Sequence, residues 1–139
     1  MCQKWSVQSI EHSILVKTTT SIAYSLWADV EEFPRFWETI REVRPVGGKR
    51  FLWVGEENGQ RFEATVELTL QIPNRRIAWR TLSGPESSGV VGFEPESAET
   101  TRIVLKLRVD PSSPWYDPAA TQERVVSALH KFKELVESR

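Results

Sequence analysis

A chain of 139 residues with 18 basic and 19 acidic side chains has a formal charge of only -1. That length suits one domain with one real core, and neither sign of charge forms a long block. Nucleic acid is therefore not an expected partner, since affinity for phosphate accumulates with Lys and Arg.

The one cysteine, Cys2, allows neither an intramolecular disulfide nor a cysteine-based metal site, and a reducing cytoplasm fits it best. The stretch from Met1 to Trp5 lacks the apolar run of a signal peptide, and no segment approaches the roughly 20 apolar residues that cross a bilayer. A soluble cytoplasmic protein is expected. The six tryptophans suit either a bulky core or the walls of a pocket. No repeat or linker divides the chain, so residues 1–139 read as a single domain.

In chain order, Ile10, His12, Ile14 and Val16 share one face of a strand of period two. Trp5 and Val7 fall on the other parity, which a bulge or a strand starting near Ser9 would explain. Thr20 or Ser21 then caps a short helix with Ile22, Leu26 and Trp27, and a second follows with Pro34 in its first turn and Phe36, Trp37 and Ile40 along one side. From Arg61 to Ile72 the alternation is complete. Phe62, Ala64, Val66, Leu68, Leu70 and Ile72 lie on the buried face and Arg61, Glu63, Thr65, Glu67, Thr69 and Gln71 on the wet one.

Asn58-Gly59 is the preferred pair for a two-residue hairpin turn. It sets Gly55 against Phe62, Trp53 against Ala64 and Phe51 against Val66, which turns Trp53 inward. A turn at Pro73-Asn74 sets Ile77, Trp79 and Thr81 opposite Leu70, Leu68 and Val66, with Arg76 and Arg80 in water beside Glu67. Two more strands follow, around Gly89 to Phe93 and from Arg102 to Val109. In the second, Ile103, Leu105, Leu107 and Val109 point inward. After a proline-rich loop holding Trp115 and Tyr116, Asp117 caps a long helix with Pro118 first. Its apolar stripe is Val125, Ala128, Leu129, Phe132, Leu135 and Val136. Gln122, Glu123, Lys131, Lys133 and Glu134 occupy most of the rest. Stripe and sheet face are natural partners.

This order resembles the helix-grip fold of the START-like (SRPBCC) superfamily. Asp29-Val30-Glu31-Glu32-Phe33-Pro34-Arg35-Phe36-Trp37 looks like the family's helical segment. Pro73-Asn74-Arg75-Arg76-Ile77-Ala78-Trp79-Arg80, Gly89-Val90-Val91-Gly92-Phe93-Glu94-Pro95 and Thr100-Thr101-Arg102-Ile103 resemble strands of its bacterial polyketide cyclase/dehydrase and lipid-transport branch. The resemblance implies an α+β fold, a curved antiparallel sheet of about seven strands around a long C-terminal helix, with two short helices after the first strand. Similar domains bind sterols, lipids, polyketides or quinones between sheet and helix, and some catalyse cyclisation or dehydration there.

Inward polar groups are few on this parity: His12, Thr81 and the indoles of Trp53 and Trp79. His12 is of the residue type most used for acid/base work near neutral pH, or it is a core or rim histidine bonded to backbone. Thr81 is a second catalytic candidate or simply a strand former. Each inward indole must fill volume and find an acceptor, either on a ligand or on a backbone carbonyl. Trp115 and Tyr116 close a pocket mouth, meet a protein partner or pack on the helix end. His130 faces solvent. A protein metal site is not expected from two histidines and one cysteine. Gly47-Gly48 is a turn and not a phosphate loop, no serine sits at a hydrolase elbow, and no cofactor is implied.

The leading expectation is non-catalytic binding of a hydrophobic small molecule in a pocket lined by Trp53, Phe62, Ala64, Val66, Leu68, Trp79, Thr81, Leu105, Leu129 and Phe132. The alternatives are a polyketide cyclase or dehydratase using His12 and Thr81, and an interaction module docking through Trp115 and Tyr116, as the likeness to ribosome-associated members of the superfamily permits.

Overall fold

The computed structural model describes residues 8–57, 59–83, 87–109 and 118–138. Strand β1 (Gln8–Val16) is followed by helix α1 (Thr20–Ala28) and a 3-10 helix (Val30–Arg35). Six strands then run in sequence: β2 (Ile40–Gly47), β3 (Arg50–Glu57), β4 (Gln60–Ile72), β5 (Arg76–Ser83), β6 (Ser87–Ser97) and β7 (Thr100–Val109). Helix α2 (Pro118–Glu137) closes the order. The seven strands form one antiparallel sheet in the order β1-β7-β6-β5-β4-β3-β2. This is the helix-grip arrangement, with the apolar stripe of α2 against the inner face.

The meander follows from its turns. The register of β3 and β4 sets Gly55 against Phe62, Trp53 against Ala64 and Phe51 against Val66, as expected from a two-residue turn at 58–59, and Gly59 has the positive φ of 78° that such a turn requires. At the next turn Asn74 has a φ of 64°, which asparagine tolerates better than most residues. The amide of Arg75 donates to the carbonyl of Ile72 at 2.9 Å and closes this turn.

Between β4 and β5 the structure corrects the sequence reading. A register shift between Leu68 and Leu70 leaves Trp79 opposite Leu68 and Thr81 opposite Val66, but moves Ile77 from Leu70 to Gln71. Leu70 now pairs with Ala78, which lies between the inward Ile77 and Trp79. The shift thus turns Leu70 and Ile72 to the outer face, where they are 38% and 39% exposed, because inserting one residue inverts every side chain beyond it.

The helical insertions also differ in detail. Helix α1 is capped by Thr19 rather than Thr20 or Ser21, the Thr19 side chain accepting from the amide of Ile22 at 3.2 Å. It buries Ala23, Leu26 and Trp27, while Ile22 is 43% exposed. The second helix is a 3-10 helix with Pro34 near its end and not in its first turn, and Ile40 begins β2 instead of extending a helical face. Val30, Phe33 and Phe36 are buried at intervals of three, the 3-10 period, so they form a single line into the core.

Helix α2 buries Val125, Ala128, Leu129, Phe132 and Val136, with Leu135 packed beside them. Trp5, Val7, Trp115, Tyr116 and the expected cap Asp117 lie outside the described residues.

Candidate functional site

The sheet brings inner-face residues from distant parts of the chain into rows. One row runs Leu68, Trp79, Gly89, Leu107, Ile10, and a second runs Gln71, Ile77, Val91, Leu105, His12. A third sets Val43 beside Trp53 and Ala64. Two glycines give aromatic rings room. A Cβ on Gly89 would come within 2.4 Å of the Trp79 ring, and one on Gly55 within 2.4 Å of the Phe62 ring. Each indole or phenyl thus lies directly across a neighbouring backbone.

Opposite these rows, the backbone of α2 comes close to β1 and α1, and among the described residues it makes no comparable approach to β3, β4 or β5. A run of aromatic rings spans the distance from α2 to β3. Trp27 is fully buried, with ring centroids 5.6 Å from Phe33, 5.2 Å from Phe36, 6.4 Å from Phe93 and 5.0 Å from Phe132. Phe33 in turn lies 5.2 Å from Trp53. All five of these contacts are edge-on or tilted, as ring quadrupoles favour. The aromatic cluster therefore joins α1, the 3-10 helix, β3, β6 and α2.

The Nε1 atoms of Trp27 and Trp53 are buried with no hydrogen-bond partner. A buried unpaired donor costs about 1–3 kcal/mol, and native interiors leave few of them. Two such groups, both on rings that flank Phe33, mark this region of the interior.

Ala64, Val66, Leu68, Trp79, Leu105, Leu129 and Phe132 are buried in one core cluster, and Trp53 and Phe62 pack against it. Thr81 is half-buried, and its hydroxyl is committed: it donates to the Ser87 carbonyl at 3.2 Å and accepts from the Ser87 amide at 3.0 Å, joining β5 to β6. His12 faces α2, where its Nε2 lies 2.7 Å from Oε1 of Gln122. Its partner is thus a helix side chain rather than backbone. Thr101, fully buried, donates to the Thr18 carbonyl at 2.8 Å.

Charges stay at the rim. Lys131 pairs with Glu38, and Lys133 with Glu137, whose carboxylate also accepts from the amide of Lys17 at 2.8 Å. The hydrogen bond and charge of Lys131 hold Glu38 below the ordinary carboxylate range, and the hydrogen bond from Lys133 does the same for Glu137 against a smaller opposing effect of burial. Among the described residues no cluster of His, Cys, Asp and Glu could hold a metal, and no helix is long and apolar enough to cross a membrane.

The sequence reading did not assign Trp27, Phe33, Phe36 and Phe93 to the site. Their signal was the interval of three from Val30 to Phe36, which a search at helical period passes over, and the inward parity of β6, which only its pairing to β7 settles.

Residues 18–122 match the family model described as polyketide cyclase/dehydrase and lipid transport. An uncharacterized 17.2 kDa protein of Streptomyces lincolnensis is 30% identical over 96% of this chain and 92% of its own length. The di-domain ARO/CYC protein BexL of the BE-7585A biosynthetic pathway is 29% identical with a TM-score of 0.74, over 94% of this chain and 46% of BexL. A START superfamily protein of Mycobacterium smegmatis shares the fold at 14% identity and a TM-score of 0.75, over 94% of this chain and 95% of that protein.

Proposed function

This chain belongs to the polyketide cyclase/dehydrase and lipid-transport family, and we propose that it binds or carries a hydrophobic small molecule, such as a lipid, polyketide or quinone, between the sheet and α2. The observation that carries this reading is the pair of buried, unpaired indole N–H groups on Trp27 and Trp53. A bound molecule supplies the acceptor that the protein does not. The region where α2 stands away from β3–β5 is where such a molecule would lie, against Trp53, Ala64, Val66 and Trp79.

The test uses an apolar fluorescent probe. It binds wild type at one site and quenches tryptophan emission, because Trp27, Trp53 and Trp79 line that region. Ala64→Trp places a second indole beside Trp53 and should weaken binding by at least about tenfold, with stability changed by less than the 1–3 kcal/mol that overpacking a solid core costs. A clearly destabilised variant, together with a wild type that binds no probe, contradicts the reading.

A second reading, cyclase or dehydratase chemistry in the same interior, is supported by the likeness to the ARO/CYC protein BexL. It assigns proton transfer to His12, since the Thr81 hydroxyl is held by Ser87. His12→Ala should then abolish turnover of a poly-β-ketone substrate with the fold intact, and retained turnover removes His12 from that chemistry.

A further inference from the structure

The polar inventory of the interior limits what can bind there. Among the described residues the only buried polar or charged side chains are Thr18 and Thr101, and the Thr101 hydroxyl is spent on the Thr18 carbonyl. Thr81 is spent on Ser87 and His12 is engaged with Gln122. Lys131, Lys133 and Glu137 of α2 reach other elements at the rim. Among the described residues, what is left unpaired inside is two indole N–H groups. An indole donates and cannot accept.

Resting on the reading that the interior binds a small molecule, we infer that the site is selective for a neutral ligand presenting a hydrogen-bond acceptor, a ketone or quinone oxygen, to Trp53 and Trp27, and that it rejects ionised carboxylates. A pure hydrocarbon fills the space but leaves both donors unpaired, so it forfeits a hydrogen bond that the protein has already desolvated. An alcohol oxygen accepts, but its own proton finds no acceptor. A carboxylate accepts well, yet it must leave water with no cation buried beside it, which costs more than two neutral donors return. Free fatty acids are thereby disfavoured, although their chains match the apolar walls.

The test compares three probes built on one tricyclic frame, on the folded protein: fluorene, 9-fluorenone and fluorene-9-carboxylate at pH 7. Fluorenone should bind wild type about three- to tenfold more tightly than fluorene, the worth of one neutral hydrogen bond, and the carboxylate should bind more weakly than either. In Trp53→Phe or Trp27→Phe the fluorenone preference should fall towards unity, while fluorene affinity changes little. The wild-type ratio needs no variant, so it stands even where Trp27→Phe does not fold. Equal binding of fluorene and fluorenone, or tightest binding of the carboxylate, overturns this inference but leaves interior binding intact. Binding of none of the three overturns the reading on which it rests.

Discussion

Individual residues hold this interior in two ways, by filling it and by satisfying its few polar atoms. Thr101 is fully buried and its hydroxyl is the partner of the Thr18 carbonyl. Thr101→Val keeps the shape but orphans that carbonyl, so denaturant melts should show a loss of about 1–3 kcal/mol. An unchanged midpoint would mean that the carbonyl finds another donor. Gly89 acts through the space it leaves. A methyl there would stand 2.4 Å from the Trp79 ring and 2.9 Å from Leu107, so Gly89→Ala should cost about 1–3 kcal/mol by forcing a rigid ring from its seat. Tryptophan emission should shift with it. Unperturbed emission and stability would show that Trp79 does not depend on Gly89.

At the scale of elements, charged side chains fasten the C-terminal half of α2. Lys131 reaches Glu38 between the 3-10 helix and β2, while Glu137 binds both Lys133 and the amide of Lys17. Both carboxyls have their pKa lowered in the folded state, so their contribution is present at neutral pH and is lost as pH falls below the ordinary glutamate value of about 4.3. The sites are exposed, so the effect is small and weakened by salt. Lys131→Met and Lys133→Met should each reduce the acid slope of the denaturant midpoint as pH falls below that value. Slopes equal to wild type would dismiss the ion pairs as fasteners.

The elements also show what sequence can and cannot reveal. Alternation and a two-residue turn sufficed for the β3–β4 register, because period two has one solution when one face is buried. The same alternation misplaced Leu70 and Ile72. Their apolar character is indifferent to which face they take, and the shift after Leu68 leaves no mark in hydrophobicity. β2 was likewise not legible as a strand, since a shift between Ile40 and Glu42 leaves Ile40 and Val43 as its two buried residues, an interval that imitates a helix.

For the whole molecule, the sheet face and helix stripe were readable one by one, and their union into a single interior followed from having no other partner. The aromatic centre was not readable. Trp27, Phe33 and Phe36 come from segments whose short elements fix where they point only once packed, and an unpaired indole is a property of the assembled core. Ligand binding in this interior rests on that property. Titration of the folded protein with fluorenone, followed by the indole signals of its six tryptophans in proton–nitrogen correlation spectra, addresses it most directly. The Trp27 and Trp53 signals should move together and saturate with one dissociation constant. Signals of Trp27 and Trp53 that stay fixed at saturating fluorenone, or drift without saturating, would contradict a binding interior.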